Sequence, residues 1–521
     1  FQPNRMTASE IETSVPSPST PLPEETFKAS SLSKDNLNSF SSIVPDSTSS
    51  YNINKEKPSN SGGIPTPSVK KSICFCILIA MCGFIFGWDV GTIGGITNMY
   101  SFKQTFGTID TNGIKTLPNM LIGVIISIFN VGCAIGGLTL AKISDYRGRK
   151  MGMYVALFVY VIGVLVQISI PPGSSGKWYQ FLVGRILTGL GVGATSVLGP
   201  MFIGETAPLR IRGAMVVMYQ LVVTAGILMG GVVNYICKKA YSDTADNHGQ
   251  WQIPIALGFA WAAIVGLGTF IAPESPVYLA NKNKKIDNID VGLNQKSNWK
   301  ESFVGKPRYG LRLLIGCAVM IFQQTSGINY FFYYGTSLFD RVGLQDPYLT
   351  AIILGAVNFV ATFGGLYLVE KLGRKKLLLV GSFGAFVSMM VYASVGSFAF
   401  QKHASGGIMI AFTCFFIIFF AIALGPVTFV VVSELYPPRV KTFSMAIATS
   451  LNWMSNFLIG LLTPTIIARI GYKFGYVFAA FMLASTFFVF FFVPETKNKN
   501  SDEIDKMYGK KMNKSSDTEN I

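Results

Sequence analysis

Seven carboxamide side chains lie inside long apolar runs of this sequence, where polar groups are costly. They are Gln220, Gln323, Gln324, Asn329, Asn358, Asn452 and Asn456. A carboxamide donates and accepts hydrogen bonds without carrying charge, so it matches a hydroxyl group. One amide in a membrane helix commonly joins two helices, whereas seven from both halves of the chain indicate a site for a neutral ligand rich in hydroxyls. We expect Gln323, Gln324 and Asn329 to be its main contacts.

The geometry of a straight helix would separate two of these amides. Gln324 and Asn329 would point about 140° apart at 100° per residue. Residues 325–327, Thr-Ser-Gly, lie between them, and Gly and Ser are common at kinks. Transporters bind substrate at interrupted helices, so we expect a local bend that brings both amides to one cavity.

An acid and a base also lie inside apolar runs. Asp89 falls in the first run and Arg185 in the fourth. Because an ionised Asp at the centre of a bilayer costs on the order of 3 kcal/mol, we expect Arg185 to be its partner. The pair is either a static ion pair or a proton site, in which protonation of Asp89 would free Arg185. The sequence leaves both possibilities open.

Three short charged motifs occur twice, at similar spacing. Residues 145–150 (DYRGRK) return as residues 370–375 (EKLGRK), residues 205–212 (ETAPLRIR) as residues 434–441 (ELYPPRVK), and residues 273–275 (PES) as residues 494–496 (PET). Each copy stands at the polar end of an apolar run, so one half of the chain is built like the other. Two parallel membrane halves with a site between them are one arrangement of a transporter.

Eight charged residues of these motifs form a candidate gate. They are Asp145, Arg149, Glu205 and Arg212 in the first half and Glu370, Arg374, Glu434 and Lys441 in the second. Charge pairs that form when this side is closed must break when it opens, which is the differential contact that a two-state switch needs. Exposed ion pairs are worth only about 0–1 kcal/mol each, so we expect a network of them to hold a balanced equilibrium.

Apolar runs of about 20 residues, long enough to cross a bilayer, must position these side chains. The twelve predicted spans are 72–96, 119–141, 151–170, 179–203, 214–236, 252–272, 310–338, 348–369, 377–399, 407–432, 444–467 and 475–493. The loops that carry the motifs are richer in Lys and Arg than the loops opposite, which places the motifs and both termini in the cytoplasm.

The predicted fold class is an all-α membrane protein in five consecutive parts. They are a disordered cytoplasmic tail (1–69), an N-terminal six-helix bundle (70–272), a shortened cytoplasmic linker (273–309), a C-terminal six-helix bundle (310–493) and a cytoplasmic C-terminal tail (494–521). The tail 1–69 is rich in Ser, Thr, Pro and Asn and lacks apolar periodicity, which is typical of disorder.

Composition argues against other classes of protein. Half of the 521 residues are hydrophobic and 13% are charged, against about 25% charged in soluble domains. The net charge of +16 does not indicate a nucleic-acid partner, because no segment offers the basic face of a soluble domain. The seven cysteines lie in or beside apolar runs, as packing residues do. No metal-ligand spacing, nucleophile–base set or cofactor loop stands out, so we expect neither an enzyme nor a cofactor.

The motifs, taken in order, resemble the sugar porter family of the major facilitator superfamily. The resemblance covers about residues 73–497 and rests on GRK at 148–150, GR at 184–185, residues 205–212, PESP at 273–276, QQTSGIN at 323–329, GRK at 373–375 and PETK at 494–497. Local sequence around Gly87-Trp88-Asp89 and residues 329–335 is similar to the yeast hexose transporters. The resemblance implies the major facilitator fold, with twelve transmembrane helices in two pseudo-symmetric six-helix bundles.

The resemblance also implies a function and a site. It implies a plasma-membrane carrier that moves a hexose across the lipid bilayer by alternating access. Facilitated diffusion is favoured, while a symporter with protons as a further partner and a non-transporting sugar sensor remain alternatives. The implied sugar contacts are Gln220, Gln323, Gln324, Asn329, Asn358 and Asn452. Tyr333 and Tyr334 match gating tyrosines, and Phe429 stands where relatives carry a Trp or Tyr that stacks on the sugar, so a polar handle is missing here.

Two departures from the family pattern concern the gate. Val277 stands where the family carries an Arg after Pro-Glu-Ser-Pro, so one cation of the gate is missing. The linker 273–309 is short, and relatives fit several small helices there. We therefore expect either a reduced gate or a linker from which a piece of the sequence is missing. The 24 residues after Lys497 favour a carrier over a sensor, because sensors of this family have long C-terminal tails.

Overall fold

A computed structural model describes residues 69–109, 115–171, 177–208, 211–241, 244, 247–279, 282, 300–340, 347–398, 402–437 and 439–516. The predicted disordered tail lies outside these residues except at Val69, and so does much of the predicted linker. Two short strands, Thr108–Ile109 and Lys115–Thr116, pair antiparallel. The other regular structure in the described residues is helical.

Eleven continuous helical segments in the described residues are long and apolar enough to cross a membrane. The first ten, called spans 1 to 10 here, are Val69–Ile96, Asn119–Arg147, Arg149–Ile168, Trp178–Thr206, Arg212–Ala240, Gly249–Ile271, Tyr309–Gly335, Tyr348–Leu372, Arg374–Ser397 and Gly406–Leu435. They coincide with the first ten predicted spans within a few residues at most ends.

The last apolar segment makes two crossings. Lys441–Phe492 has 52 residues, more than twice the roughly 20 that one crossing needs. It consists of the helices Lys441–Ile470 and Phe474–Phe492, here called spans 11 and 12, which the 3₁₀ turn Gly471–Lys473 joins. Gly471 has a φ of 56°, a left-handed conformation that glycine adopts without a steric penalty. The described part of the chain thus contains the twelve predicted spans.

Four spans are built from more than one helix. Span 1 contains the helices Val69–Ala80 and Cys82–Ile96. Span 2 contains Asn119–Thr139, Leu140–Lys142 and Ile143–Arg147, and span 7 contains Tyr309–Gln324 and continues into Ile328–Asp340. Span 10 lies in Lys402–Phe419, the π-helical turn Phe420–Leu424 and Gly425–Leu435. Span 8 lies in the helix Pro347–Leu372. The short helices Tyr100–Phe106 and Glu301–Val304 and the longer Ser501–Ser516 lie outside the spans. The breaks in spans 7 and 10 fall beside the candidate site.

The two halves of the chain meet along two pairs of spans. Span 2 packs along span 11, and span 5 packs along span 8. Within the halves, span 1 packs on span 5, span 4 on spans 2 and 3, and span 9 on spans 10 and 12. Small residues permit the close approaches: a Cβ on Gly87 of span 1 would lie 1.9 Å from the Val223 carbonyl oxygen of span 5. Lipid gives helices no hydrophobic reason to associate, so such backbone contact holds them together.

A helix beyond the last span packs against the base of span 7. In this helix, Ser501–Ser516, Asp505 Oδ1 accepts a hydrogen bond of 2.6 Å from Arg312 Nη1. The Arg312 guanidinium lies 4.5 Å from the centre of the Tyr508 ring. Ile504 and Tyr508 are buried, and burial raises the pKa of the Tyr508 phenol to about 12. The sequence analysis treated residues 494–521 only as a tail, so this docked helix is a new element.

Candidate functional site

Span 7 breaks between the two amides that a straight helix would hold apart. The helix Tyr309–Gln324 ends at Gln324, and the helix Ile328–Asp340 begins four residues later. Gly327 lies in the break with a φ of 90°. Asn329 Nδ2 donates a hydrogen bond of 2.8 Å to Gln324 Oε1. The predicted bend is therefore a complete interruption of the helix, and it brings the two carboxamides into contact.

Asn452 of span 11 is the centre of this amide cluster. Its Oδ1 accepts from Gln324 Nε2 at 3.0 Å. Its Nδ2 donates to Gln323 Oε1 at 2.6 Å and to the Met320 carbonyl at 2.8 Å. Gln323 Nε2 in turn donates to the carbonyl of Gly425 at 3.4 Å. A continuous chain of hydrogen bonds thus runs from span 7 through span 11 to the π-helical turn of span 10.

The first half of the chain reaches the same turn through Gln220. Gln220 of span 5 is 7% exposed, and a Cβ built on Gly425 would lie 3.5 Å from its Nε2. Phe429, one turn further along span 10, is buried with its ring centre 6.3 Å from that of Tyr219 at an interplanar angle of 58°. Amides and an aromatic pair from opposite halves therefore face each other at this point.

Asn456, one turn after Asn452, makes a further polar contact between the halves. Its Nδ2 donates to the Tyr333 hydroxyl at 3.1 Å and to Asn130 Oδ1 of span 2 at 3.2 Å. The hydroxyl of Tyr334 donates to the carbonyl of Gly460. The sequence analysis missed Asn130, although a carboxamide inside an apolar run was the criterion that selected the other seven.

Asn358 of span 8 does not join this cluster. It is buried, and its Oδ1 has no hydrogen-bond partner among the described residues. Its backbone carbonyl accepts from the hydroxyl of Thr362, one turn later. Its assignment as a sugar contact stays a prediction.

Asp89 and Arg185 form an ion pair inside the first half. Arg185 Nη1 donates to Asp89 Oδ1, and the two side chains are 3% and 11% exposed, the arginine being the more buried. The guanidinium also lies 4.6 Å from the centre of the Phe129 ring. Both charged residues line a small cleft, which polar Tyr160, Gln167 and Thr188 and apolar Ile93, Val164 and Ile255 line as well. The expected partnership is present, beside a cleft of mixed polar and apolar lining.

The charged motifs lie together at one end of the spans, called the motif end here. In the first half, Arg149 Nη2 pairs with Glu205 Oε1 at 2.9 Å and Nη1 with Asp145 Oδ1 at 2.7 Å. Ser275 Oγ donates to Glu205 Oε2 at 2.5 Å. Glu274 Oε1 accepts from the backbone nitrogen of Arg149 at 2.9 Å, at the N-terminus of span 3. Helix N-termini favour an acceptor with negative charge.

The second half repeats this arrangement residue by residue. Arg374 Nη2 pairs with Glu434 Oε1 at 2.7 Å and Nη1 with Glu370 Oε2 at 3.2 Å. Thr496 Oγ1 donates to Glu434 Oε2 at 2.7 Å, and Glu495 Oε1 accepts from the Arg374 backbone nitrogen at 2.9 Å. The sequence analysis found the repeated Pro-Glu-Ser/Thr motif but gave its glutamates no role. Both arginines therefore bind carboxylates of their own half.

Other contacts at the motif end join the two halves. Thr442 Oγ1 of span 11 donates to Asp145 Oδ1 at 3.1 Å, and the Ala214 backbone nitrogen of span 5 donates to Glu370 Oε1 at 3.0 Å. These bonds run in opposite directions across the boundary. Each uses a carboxylate that already pairs with the arginine of its own half.

Two cations interact with carboxylates of the opposite half. Arg212 lies within electrostatic range of Glu434, and Lys441 lies within range of Glu205 and Glu434. A Cβ built on Gly204 would be 3.7 Å from Lys441 Nζ, so the lysine reaches across to span 4. All eight predicted gate residues thus gather at one end, with the arginines of the GRK motifs inside each half and Arg212 and Lys441 across the boundary.

The halves also touch at the other end of the spans, called the far end here. The hydroxyl of Tyr348 in span 8 donates to the carbonyl of Gly95 in span 1 at 3.2 Å. A Cβ built on Gly94 would lie 2.9 Å from the carbonyl oxygens of Phe332 and Tyr333. The amide cluster therefore lies between two regions of contact.

Comparison with known proteins gives a consistent result. The family described as "Sugar (and other) transporter" matches residues 75–508. Hexose transporter HXT14 of Saccharomyces cerevisiae is 48% identical over 484 residues, covering 84% of this chain and 88% of that protein. The low-affinity glucose transporter HXT4 of the same yeast is 41% identical over 503 residues, covering 89% and 86%. The solved major facilitator proton:xylose symporter XylE, bound to 6-bromo-6-deoxy-D-glucose, is similar with a TM-score of 0.73 and 25% identity, covering 85% of this chain and 100% of that one.

Proposed function

The chain belongs to the sugar transporter family of the major facilitator superfamily, and we propose that it carries a hexose across a membrane by alternating access. The observation that carries this proposal is the hydrogen-bonded amide cluster of Gln323, Gln324, Asn329 and Asn452, which faces Gln220 of the other half. The relatives named above are hexose and glucose transporters.

The chemistry of the cluster supports a neutral polyol as substrate. Carboxamides both donate and accept hydrogen bonds, as the hydroxyls of a hexose do. In the described residues the amides bond mainly to one another, so a sugar would exchange amide–amide bonds for amide–hydroxyl bonds. Each net hydrogen bond is worth roughly 1 kcal/mol, and a millimolar dissociation constant corresponds to about −4 kcal/mol. A few such bonds supply the modest affinity of a carrier that must release its substrate.

The contacts between the halves support alternating access. The halves touch at the motif end through Thr442 and Ala214 and at the far end through Tyr348. Opening one end requires only the contacts at that end to break while those at the other remain. Tyr333, which accepts from Asn456, and its neighbour Tyr334 are suited to act as the gate on the far side of the sugar.

The location and orientation follow from the same proposal. We place the protein in the plasma membrane, with the motif end and both termini in the cytoplasm. Lys and Arg are concentrated at the motif end, as the positive-inside bias requires of cytoplasmic loops.

Facilitated diffusion is the form of transport that we propose. Arg185 holds Asp89 in a buried ion pair that also contacts the Phe129 ring, and such a pair can remain closed throughout the cycle. Proton symport is the second candidate. It is favoured by the polar side chains of Tyr160, Gln167 and Thr188 in the cleft beside Asp89 and by the proton coupling named for XylE, because a carboxylate that exchanges protons needs polar groups along the way to it.

Uptake measurements test both points. The chain would be expressed in cells that lack their own hexose carriers, and uptake of labelled glucose, fructose, mannose and galactose would be followed while external pH is recorded. Saturable uptake without alkalinisation supports facilitated diffusion, and sugar-induced alkalinisation supports symport. Protein at the surface that binds hexose but does not move it would support a sensor. Protein at the surface that neither binds nor moves any of the four sugars would end the proposal.

A further inference from the structure

Span 2 presents two polar side chains to span 11 whose hydrogen-bonding capacity the contacts described so far do not fill. Ser127 and Asn130 are three residues apart, so they lie on one face of the helix. Both are 0% exposed. Ser127 lies against Gly460, where an added Cβ would be 3.1 Å from the serine Cβ. Asn130 Oδ1 accepts from Asn456 Nδ2 at 3.2 Å.

One donor and one acceptor of this amide pair are left over. Asn456 Oδ1 has no hydrogen-bond partner among the described residues, and Asn130 Nδ2, which lies near the Tyr333 hydroxyl, makes no hydrogen bond of regular geometry there. Asn456 Nδ2 also donates to the Tyr333 hydroxyl at 3.1 Å, so both hydrogens of this nitrogen are used. Unpaired buried polar groups are rare and each requires an explanation. Here two of opposite kind lie on neighbouring side chains from opposite halves of the protein.

A hydroxyl group has the complementary chemistry. It accepts with its lone pairs and donates with its one hydrogen, so a single hydroxyl can pair with Asn130 Nδ2 and Asn456 Oδ1 together. An amide pair that served only to join two helices would need the bond between Asn456 and Asn130 Oδ1 and nothing more. The leftover donor and acceptor therefore point to a ligand.

We propose that Asn130 is a further sugar contact, which donates from the N-terminal half to one hydroxyl of the hexose while Asn456 accepts from the same hydroxyl. This inference rests on the proposed function. The hydroxyl would then hold span 2 against span 11, so binding would favour the arrangement in which the halves meet around the sugar. Asn130 would thereby determine specificity at one position of the ring.

Deoxy sugars give a direct test. Each monodeoxyglucose lacks one hydroxyl, and its ability to compete with labelled glucose measures what that hydroxyl contributes. In the native protein the analogue that lacks the contacted hydroxyl should compete about tenfold less well than glucose, the effect of one hydrogen bond in a buried site. In Asn130→Ala the penalty of this analogue should shrink, because the hydroxyl then keeps only its bond to Asn456, while the penalties of the other deoxy analogues stay unchanged.

Thr139→Ala is a matched control. Thr139 also lies on span 2, but it is exposed and donates only to the carbonyl of Ile135 in its own helix. This substitution should leave the loss of competition that each missing hydroxyl causes as it is in the native protein. The proposal is overturned if the deoxy analogues compete with glucose in Asn130→Ala as they do in the native protein. It is also overturned if the substitution reduces the effect of every missing hydroxyl equally, because a residue that only joins helices has no preference for one hydroxyl.

Two outcomes separate this inference from the proposed function. If the native protein reaches the surface and neither binds nor moves hexose, the proposed function fails. If the native protein transports and discriminates but Asn130→Ala retains the same pattern, only the assignment of Asn130 fails. Asn130→Ser, which keeps a shorter donor, guards against misfolding and should lose part of the preference. If neither Asn130 variant reaches the surface while Thr139→Ala does, Asn130 has a folding role and the proposal is overturned.

Discussion

Gln324→Glu tests the amide cluster with the smallest change of shape. The replacement keeps the acceptor that Asn329 Nδ2 reaches at 2.8 Å and turns the donor that faces Asn452 Oδ1 at 3.0 Å into an oxygen. Asn452 cannot compensate by rotating its amide, because its Nδ2 already donates to Gln323 and Met320. With the new carboxyl group ionised, two oxygens would therefore oppose each other in a buried site that also holds an added negative charge.

The expected loss is large for so small a change. One hydrogen bond of about 1 kcal/mol disappears, and a buried acceptor without a partner costs about 1–3 kcal/mol more. A total of about 3 kcal/mol corresponds to roughly a hundredfold loss of uptake efficiency, Vmax/KM. Gln324→Ala should abolish uptake as well, while both variants still reach the cell surface.

Labelled-hexose uptake, normalised to the amount of protein at the surface, measures this effect. Gln180→Glu is the control, because Gln180 is partly exposed and donates to the Val166 carbonyl and to Ser169, away from the cluster. It should keep native uptake. If Gln324→Glu transports within about threefold of the native protein at equal surface amounts, the cluster does not bind the substrate and the reasoning is refuted.

Three further predictions concern the elements around the site. Gly327→Ala should lower the melting temperature of the purified protein. A φ of 90° disfavours any side chain by about 1–2 kcal/mol, and the new Cβ would lie 2.7 Å from an aromatic ring. An unchanged melting temperature would show that the backbone at residue 327 accepts a side chain without strain. Arg212→Ala combined with Lys441→Ala should increase labelling of a cysteine introduced at the motif end, because the attraction of these cations for carboxylates of the opposite half is removed. Labelling equal to that of the native protein would contradict a gating role for the two residues. Asp505→Ala should loosen the C-terminal helix, because it leaves Arg312, which is 1% exposed, without its carboxylate partner. Proteolysis of that helix should become about tenfold faster. Proteolysis at the native rate would show that the contact does not hold the helix in place.

The spans could be predicted from the sequence because the bilayer fixes their length. Any helix that crosses it needs about 20 apolar residues, and this requirement is local. The break in span 7 was also predictable, since Gly327 and Ser326 stand between two amides that a straight helix would separate. Helix continuity joins spans 11 and 12 into one 52-residue segment, whereas the apolar runs of the sequence separate them at residues 468–474.

Contacts between distant residues were less accessible. No local pattern singles out Asn452, rather than one of the other amides, as the centre of the cluster, because its partners are more than 125 residues away in the chain. Asn358 met the same criterion as the others and lies outside the hydrogen-bonded cluster, whereas Asn130 met it and was overlooked. The π-helical turn Phe420–Leu424, which presents the Gly425 carbonyl, depends on how span 10 packs and left no mark in the hydrophobic pattern.

The division of charges at the motif end indicates which pairs change during transport. Arg149 and Arg374 each bind two carboxylates of their own half, and these bonds can survive when the halves separate as rigid bodies. The bonds from Thr442 to Asp145 and from Ala214 to Glu370 cross the boundary and must break.

Each arginine therefore holds a carboxylate in place for a weaker partner on the other half. A gate of this kind is strong within each half and weak between the halves. An equilibrium between two open states has to be balanced to within a few kcal/mol. Weak contacts across the boundary, near 1 kcal/mol each, meet that requirement. A set of direct arginine–carboxylate pairs between the halves would not meet it.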